Sequence, residues 1–162
     1  MNPQQILERY VQLCVQSLSD NPRLIALLRK SGLREGFIYD SFRLGYAEGG
    51  LLNLVKDNPS LVKDFEQIGL LKDGKEVLSH RLVIPVLDEN KGVINIAGYS
   101  LHPKVKRKLI MLNASGIFNQ SFLRNASELI LTQDALEALL LIQNDVPNST
   151  FVFGDDGKYL HF

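Results

Sequence analysis

An α+β fold is what this sequence predicts, on three observations. Apolar residues recur at three- and four-residue steps through the first third, the period of helices buried on one side. The middle holds two β-rich runs, residues 81–87 and 93–99, separated by the hairpin-length loop Asp88-Glu89-Asn90-Lys91-Gly92. The end reads as strand, helix, strand over residues 128–132, 134–144 and 150–153, a βαβ unit whose two strands would run parallel. The expected layout is short helices, an antiparallel hairpin or small sheet, and then the βαβ unit. The first region spans residues 1–125 and the second residues 126–162.

In the first helix, Ile6, Tyr10, Leu13, Cys14 and Leu18 make one apolar face. Asp20-Asn21-Pro22 interrupts it and opens a second helix, with Asn21 as N-cap and Pro22 in the first turn. That helix carries Leu24, Leu27 and Leu28. It closes on Arg29 and Lys30, cations at the negative end of the dipole, with Gly32 just past the end. Residues 34–41 give a third short helix, and 51–55 and 59–67 two more, the last stopped by Gly69. Lys72-Asp73-Gly74-Lys75 is a turn. Pro85 has no N–H to donate, so it belongs at a sheet edge, a bulge or a strand end. Residues 108–112 suggest a third strand, and residues 128–132 a buried one. Phe37, Phe42, Tyr46 and Phe65 fall on apolar helical positions and read as core rather than as a base-stacking platform.

Composition narrows the function classes. Hydrophobic residues make up 45% of the 162 and charged residues 22%, an ordinary globular balance. Eighteen basic residues offset eighteen acidic ones, so any nucleic-acid site must be a local patch. Cys14 is the one cysteine, which excludes an internal disulfide and a multi-cysteine zinc site. His80, His102 and His161 show no metal-ligand spacing, and no Walker loop, G-x-S-x-G or G-x-G-x-x-G occurs. No apolar run approaches the ~20 residues of a membrane span, and the polar start is no signal peptide, so the expected compartment is the cytoplasm.

Four local patterns occur in a fixed order. Lys30-Ser31-Gly32-Leu33, Ile38, Phe42 and Leu44-Gly45-Tyr46-Ala47 make the first, and Ile68-Gly69-Leu70-Leu71 opens the second. The second continues through residues 80–86, Asp88, Gly92-Val93-Ile94 and Ala97-Gly98. Pro103-Lys104, followed after an insertion by residues 112–119, is the third, and residues 130–139 with Gln143 and Val146 are the fourth. Together they resemble the catalytic core of bacterial-type, DnaG-like DNA primases, collinearly over nearly the whole chain. The fourth pattern resembles the opening of that core's TOPRIM domain.

The resemblance implies primer synthesis by phosphoryl transfer in the parent family, with Mg or Mn held by carboxylates. In the family a glutamate ends the first TOPRIM strand, and an Asp-x-Asp pair on a later strand binds metal. Here Gln133 stands at the glutamate position, and an amide can neither hold a cation by charge nor exchange a proton near neutral pH. The family's next residue, a glycine, is Asp134, which suits a helix N-cap. Glu137 matches the family's next acid; it either faces the site or is an exposed helix carboxylate. Asp155-Asp156 matches a loop rather than the metal pair and reads as part of a turn.

For nucleic acid, the family's arginine after its glycine pair is Tyr99 here, and of an arginine-rich strand opening only Arg81 remains. The surviving candidates are Arg81, Lys104, Lys106, Arg107, Lys108 and, at the family's "LN" position, Asn113. The run of cations either holds a phosphate backbone or is a solvated loop, and Asn113 either contacts a template or shapes a turn. The resulting expectation is a primase-related domain whose isolated chain is catalytically incomplete, carries no metal or other cofactor of its own, and binds single-stranded DNA weakly at most. The alternative is a non-catalytic interaction or scaffold domain derived from that fold, with replication proteins as partners. No membrane is expected in either case.

Overall fold

The computed structural model describes residues 1–151. The last two positions of the strand expected at 150–153, together with Asp155, Asp156 and His161, lie outside the described residues. Helix α1 spans Pro3–Ser19, with a capping box in which the Asn2 side chain accepts from Gln5 N–H and the Gln5 side chain accepts from Asn2 N–H. Helix α2 spans Pro22–Lys30 and is capped by Asn21, whose side chain accepts from Leu24 N–H. Then come α3 (Gly36–Ser41), strand β1 (Gly45–Tyr46), α4 (Leu51–Val55) and α5 (Pro59–Gln67). The turn at Asp73 and Gly74, both at positive φ, joins β2 (Leu71–Lys72) to β3 (Lys75–Glu76) as a tight hairpin. Strands β4 (Leu82–Leu87), β5 (Val93–Tyr99) and β6 (Leu109–Met111) follow, and then α6 (Gln120–Leu123). The described residues end with β7 (Ile130–Thr132), α7 (Ala135–Gln143) and β8 (Ser149–Phe151).

The main sheet is antiparallel, in the order β1-β4-β5-β6. Both of its faces are covered, which is why residues 82–86 are buried without alternation. Leu82, Ile84, Ala97 and Tyr99 pack with α2, α3 and α7, whereas Val83 and Ile96 pack with α1, α4 and α5. A register shift between Val86 and Leu87 carries Val93 to the second face as well, as a bulge requires. Pro85 sits mid-strand in β4, yet its environment is an edge: β1 pairs only with Leu82 and Val83 and leaves that side of β4 open beyond them. Gly45 allows β1 to lie against α1, since a Cβ there would come within 2.5 Å of the Cys14 carbonyl carbon. Inside the second cluster the Tyr10 hydroxyl donates to Glu76 Oε1 at 2.7 Å, and Glu76 Oε2 accepts from Leu51 N–H, so this buried carboxylate is satisfied.

Strands β7 and β8 are parallel, with Ile130 opposite Ser149, and α7 crosses between them. Ala135, Ala138, Leu139 and Ile142 of α7 and Phe151 of β8 belong to the same apolar cluster as Leu28, Ile38 and Leu82. Phe118 stacks on Phe151 at 4.9 Å between ring centres and also meets Phe42 at 5.0 Å.

Three expectations are corrected. The strand over 128–132 is not buried as a whole: Leu129, Ile130 and Leu131 are 41%, 39% and 49% exposed, and of β7 only Thr132 lies in the interior. Leu13 is turned outward, and Leu7 and Val11 complete the buried face of α1 in its place. Of the four aromatics read as core, Phe65 is buried and Phe42 and Tyr46 pack against the core, but Phe37 is half exposed on a helix of six residues.

Candidate nucleic-acid interface

The candidate cations occupy the loop between β5 and β6, and the base of that loop is firmly held. Tyr99 pairs with Leu109, and Ser100 N–H donates to the Lys108 carbonyl at 2.7 Å. Arg81 reaches across from the start of β4 and donates from Nη1 to the carbonyls of Arg107 (3.0 Å) and Lys108 (2.8 Å). Burial and the neighbouring Arg107 charge both hold the Arg81 pKa below its ordinary value. Arg81 therefore acts as a clamp on the loop's backbone. Lys108 is also tied in, its Nζ donating to the His102 carbonyl at 2.6 Å. Lys104, Lys106 and Arg107 stand exposed, and among the described residues their side chains make no hydrogen bond or ion pair. Of the six predicted nucleic-acid residues, these three present free charge to solvent.

Asn113 serves a different part of the molecule. Its side chain accepts from Ser115 N–H at 2.7 Å and donates to the Ile94 carbonyl at 3.3 Å, shaping the turn after β6. The fully buried Asn95 holds that turn from below. Its Nδ2 donates to the carbonyls of Asn113 and Ser115, and its Oδ1 accepts from Asn113 N–H. Sequence reasoning missed Asn95; the available signal was an asparagine in the middle of a β-rich run, where that residue type is disfavoured.

The strand-to-helix turn after β7 carries Gln133, Asp134 and Glu137. Gln133 is exposed, and so is Glu137 in the first turn of α7. Asp134 is the N-cap: its Oδ1 accepts from Leu136 N–H at 2.7 Å and Glu137 N–H at 3.2 Å. Its other oxygen, Oδ2, accepts from the Tyr99 hydroxyl at 2.6 Å. Burial first, and then the Asp134 bond and charge, raise the Tyr99 pKa above the ordinary phenol range, so the hydroxyl stays a donor. Thr132 Oγ1 donates to the Asp134 carbonyl at 2.7 Å and fixes the turn further. The foot of the basic loop and the Gln133 turn thus meet through Tyr99 and Asp134.

This arrangement does not suit a divalent metal. Gln133 is neutral, both oxygens of Asp134 are engaged by protein donors, and Glu137 is the one carboxylate of the three positions left open. Among the described residues no group of three or more histidine, cysteine, aspartate or glutamate side chains gathers in metal-binding range. No helix among them is long and apolar enough to cross a membrane.

Helices and a four-stranded antiparallel sheet, sharing a core with a parallel βαβ unit, form the scaffold on which these residues sit. Solved primase cores have this architecture. The chain superposes on the DnaG catalytic core with a TM-score of 0.77 at 18% identity, covering 93% of this chain and 54% of that one. A DNA primase domain from Pseudomonas aeruginosa gives 0.76 at 19% identity, covering 93% and 53%. The DnaG primase catalytic domain bound to single-stranded DNA gives 0.73 at 17% identity, covering 92% and 54%. The chain has the fold of the DnaG primase core and spans about half the length of each of these structures. No protein-family model matches it, and no curated protein sequence does.

Proposed function

We propose that this chain is a primase-core domain that holds single-stranded DNA weakly, through the loop bearing Lys104, Lys106 and Arg107, and does not synthesise primers on its own. The observation that carries this reading is the turn after β7. Gln133 stands where the primase resemblance places a glutamate, and the adjacent Asp134 carboxylate is committed to Tyr99 and to the cap of α7. With the βαβ unit read as the opening of a TOPRIM domain, the turn lacks the acid–base group and the charge that metal-assisted phosphoryl transfer needs. A similar fold bound to single-stranded DNA supports a nucleic-acid role for the scaffold.

Labelled single-stranded DNA titrated over a range of salt tests it. Three lysine or arginine contacts to a single strand give a slope of log K against log salt of about −2. Replacing Lys104, Lys106 and Arg107 with alanine removes that slope. Primer synthesis by the pure chain with Mg or Mn and nucleotides would overturn the reading. A second reading, a scaffold domain that docks other replication proteins, is favoured by one observation: Arg81, Tyr99 and Asn113 all spend their side chains on internal bonds. Absence of DNA binding even at low salt selects it.

A further inference from the structure

We infer that the cleft between α1, α2 and α3 is a docking site for an acidic peptide segment that carries one large apolar side chain. The cleft encloses about 330 Å³, within the range of sites that seat a side chain or small ligand. Its floor is apolar: Val15 and Leu18 from α1, Ile25 from α2, and Leu44 after α3. Leu18 and Leu44 also belong to the main core, so the floor is a rigid surface.

The rim is charged, and its charges do not cancel. Arg29 and Arg34 face a single carboxylate, Asp40. Arg34 donates from Nε to the Arg29 carbonyl at 3.2 Å, which holds its guanidinium at the mouth. Among the described residues neither the Arg29 guanidinium nor the terminal nitrogens of Arg34 have a hydrogen-bond or ion-pair partner. The Tyr39 hydroxyl is not available to a ligand, because it donates to the Leu33 carbonyl at 2.6 Å. An apolar floor below two unpaired guanidinium groups complements a ligand with a buried hydrocarbon or ring and a flanking carboxylate. A phosphate backbone would match the arginines but leave the floor unfilled, so a peptide is the better fit. The cleft lies on helices remote in sequence from the loop at residues 102–108 and is independent of its proposed role.

Gly36 supplies a clean test. It lines the cleft, and a Cβ placed there would have no heavy atom within 4 Å. Gly36→Leu therefore adds apolar bulk at the lining of the cleft with no steric conflict at its Cβ. The probe is a fluorescein-labelled peptide with one phenylalanine flanked by aspartates, followed by polarisation with the full chain. The expected result is saturable binding that weakens about tenfold or more, at least ~1.4 kcal/mol, when alanine replaces the phenylalanine. Gly36→Leu and, separately, Arg29→Ala with Arg34→Ala should cause losses of similar size. Replacing Lys104, Lys106 and Arg107 should leave peptide binding unchanged, which separates this site from the proposed DNA loop. No saturable binding at millimolar peptide, or equal binding of the alanine peptide, overturns the proposal. So does a finding that the arginine variants lose affinity for single-stranded DNA while keeping the peptide. Should Gly36→Leu fail to fold, the arginine variants and the alanine peptide still decide the matter.

Discussion

The Tyr99 hydroxyl and the Asp134 carboxylate lie 2.6 Å apart and join the end of β5 to the start of α7 across 35 residues of sequence. In the primase pattern that this chain resembles, the first position is an arginine and the second a glycine. The two departures from the pattern are therefore partners: a phenol replaces the cation, and the carboxylate that receives it appears where the pattern has no side chain. Tyr99→Phe should lower stability by about 1.5–3 kcal/mol, the usual worth of a hydrogen bond to a charged group. Asp134→Ala should cost roughly 1 kcal/mol more, because the cap of α7 goes with it. The double variant should cost less than the sum, as expected for residues in contact. Urea unfolding of the four proteins measures all three, and strict additivity would argue that the contact does not form in solution.

Stability should decline on the alkaline side. Burial pushes the Cys14 thiol up to about 12 from an ordinary 9, and burial with nearby Cys14 and Glu76 raises the Tyr10 phenol well above the usual range. Folded chains then hold these protons at pH values where unfolded chains have released them, so the free energy of unfolding falls with rising pH. The loss begins near the unfolded thiol value of about 8.5–9 and steepens as phenols ionise near 10. Urea midpoints measured at increasing pH should show the fall, and Cys14→Ala should delay its onset. The native thiol should react slowly with a disulfide reagent at neutral pH, since little thiolate is present.

Local signals made most of the fold legible. Asn21-Pro22 starts a helix where the sequence places a cap, Asn58-Pro59 starts another in the same way, and both side chains accept from the amide three residues on. The hairpin at residues 81–99 was readable from β-branched runs around a polar loop, and Asp88 closes that loop by accepting from Asn90 and Gly92 N–H. Burial was less legible. The apolar run Leu129-Ile130-Leu131 looks like a core strand, yet all three side chains are exposed while the more polar Ser149-Thr150-Phe151 beside it is buried. The bonding of the candidate cations was not legible. Arg81 and Lys108 read as free cations in sequence, yet both are bound to main-chain carbonyls at separations of 27 and 6 residues. No local pattern encodes such long-range satisfaction of a charged group.

Arg81 should therefore behave as a structural residue. Arg81→Met keeps much of the aliphatic stem and removes both bonds to the loop, at a cost of about 1–2 kcal/mol for a partly exposed pair of hydrogen bonds. The greater effect should be local. With the Arg107 and Lys108 carbonyls released, trypsin should cut after Lys106 and Arg107 faster than in the parent protein, and the Ser100 amide should exchange sooner. A proteolysis time course with mass detection reads the first, and hydrogen exchange the second. If Arg81 were instead a phosphate contact, the variant would lose DNA affinity with no change in cleavage.

Asn95 offers the sharpest test of the packing beneath the turn at residues 113–115. It is fully buried in β5 and satisfies three main-chain groups of residues 113–115 with a single amide. Asn95→Leu keeps the branched four-atom skeleton of the side chain and raises β-propensity, so a view based on hydrophobicity alone predicts a more stable protein. The hydrogen-bond geometry predicts the opposite. Two carbonyls and two N–H groups, those of Asn113 and Ile96, would lose this partner, at roughly 1–3 kcal/mol for each group that cannot turn to water. Because the turn is partly exposed, some of these groups recover a solvent partner, and a net loss of about 2–3 kcal/mol is expected. The accompanying sign is in the turn itself: Asn113 and Ser115 amides should exchange faster, while those of β4 and the first half of β5 stay protected. Thermal unfolding and hydrogen exchange on Asn95→Leu and Asn95→Asp check both parts. Asn95→Asp should be the more damaging, since the carboxylate keeps the acceptor for Asn113 N–H but turns its second oxygen toward two carbonyls that need a donor.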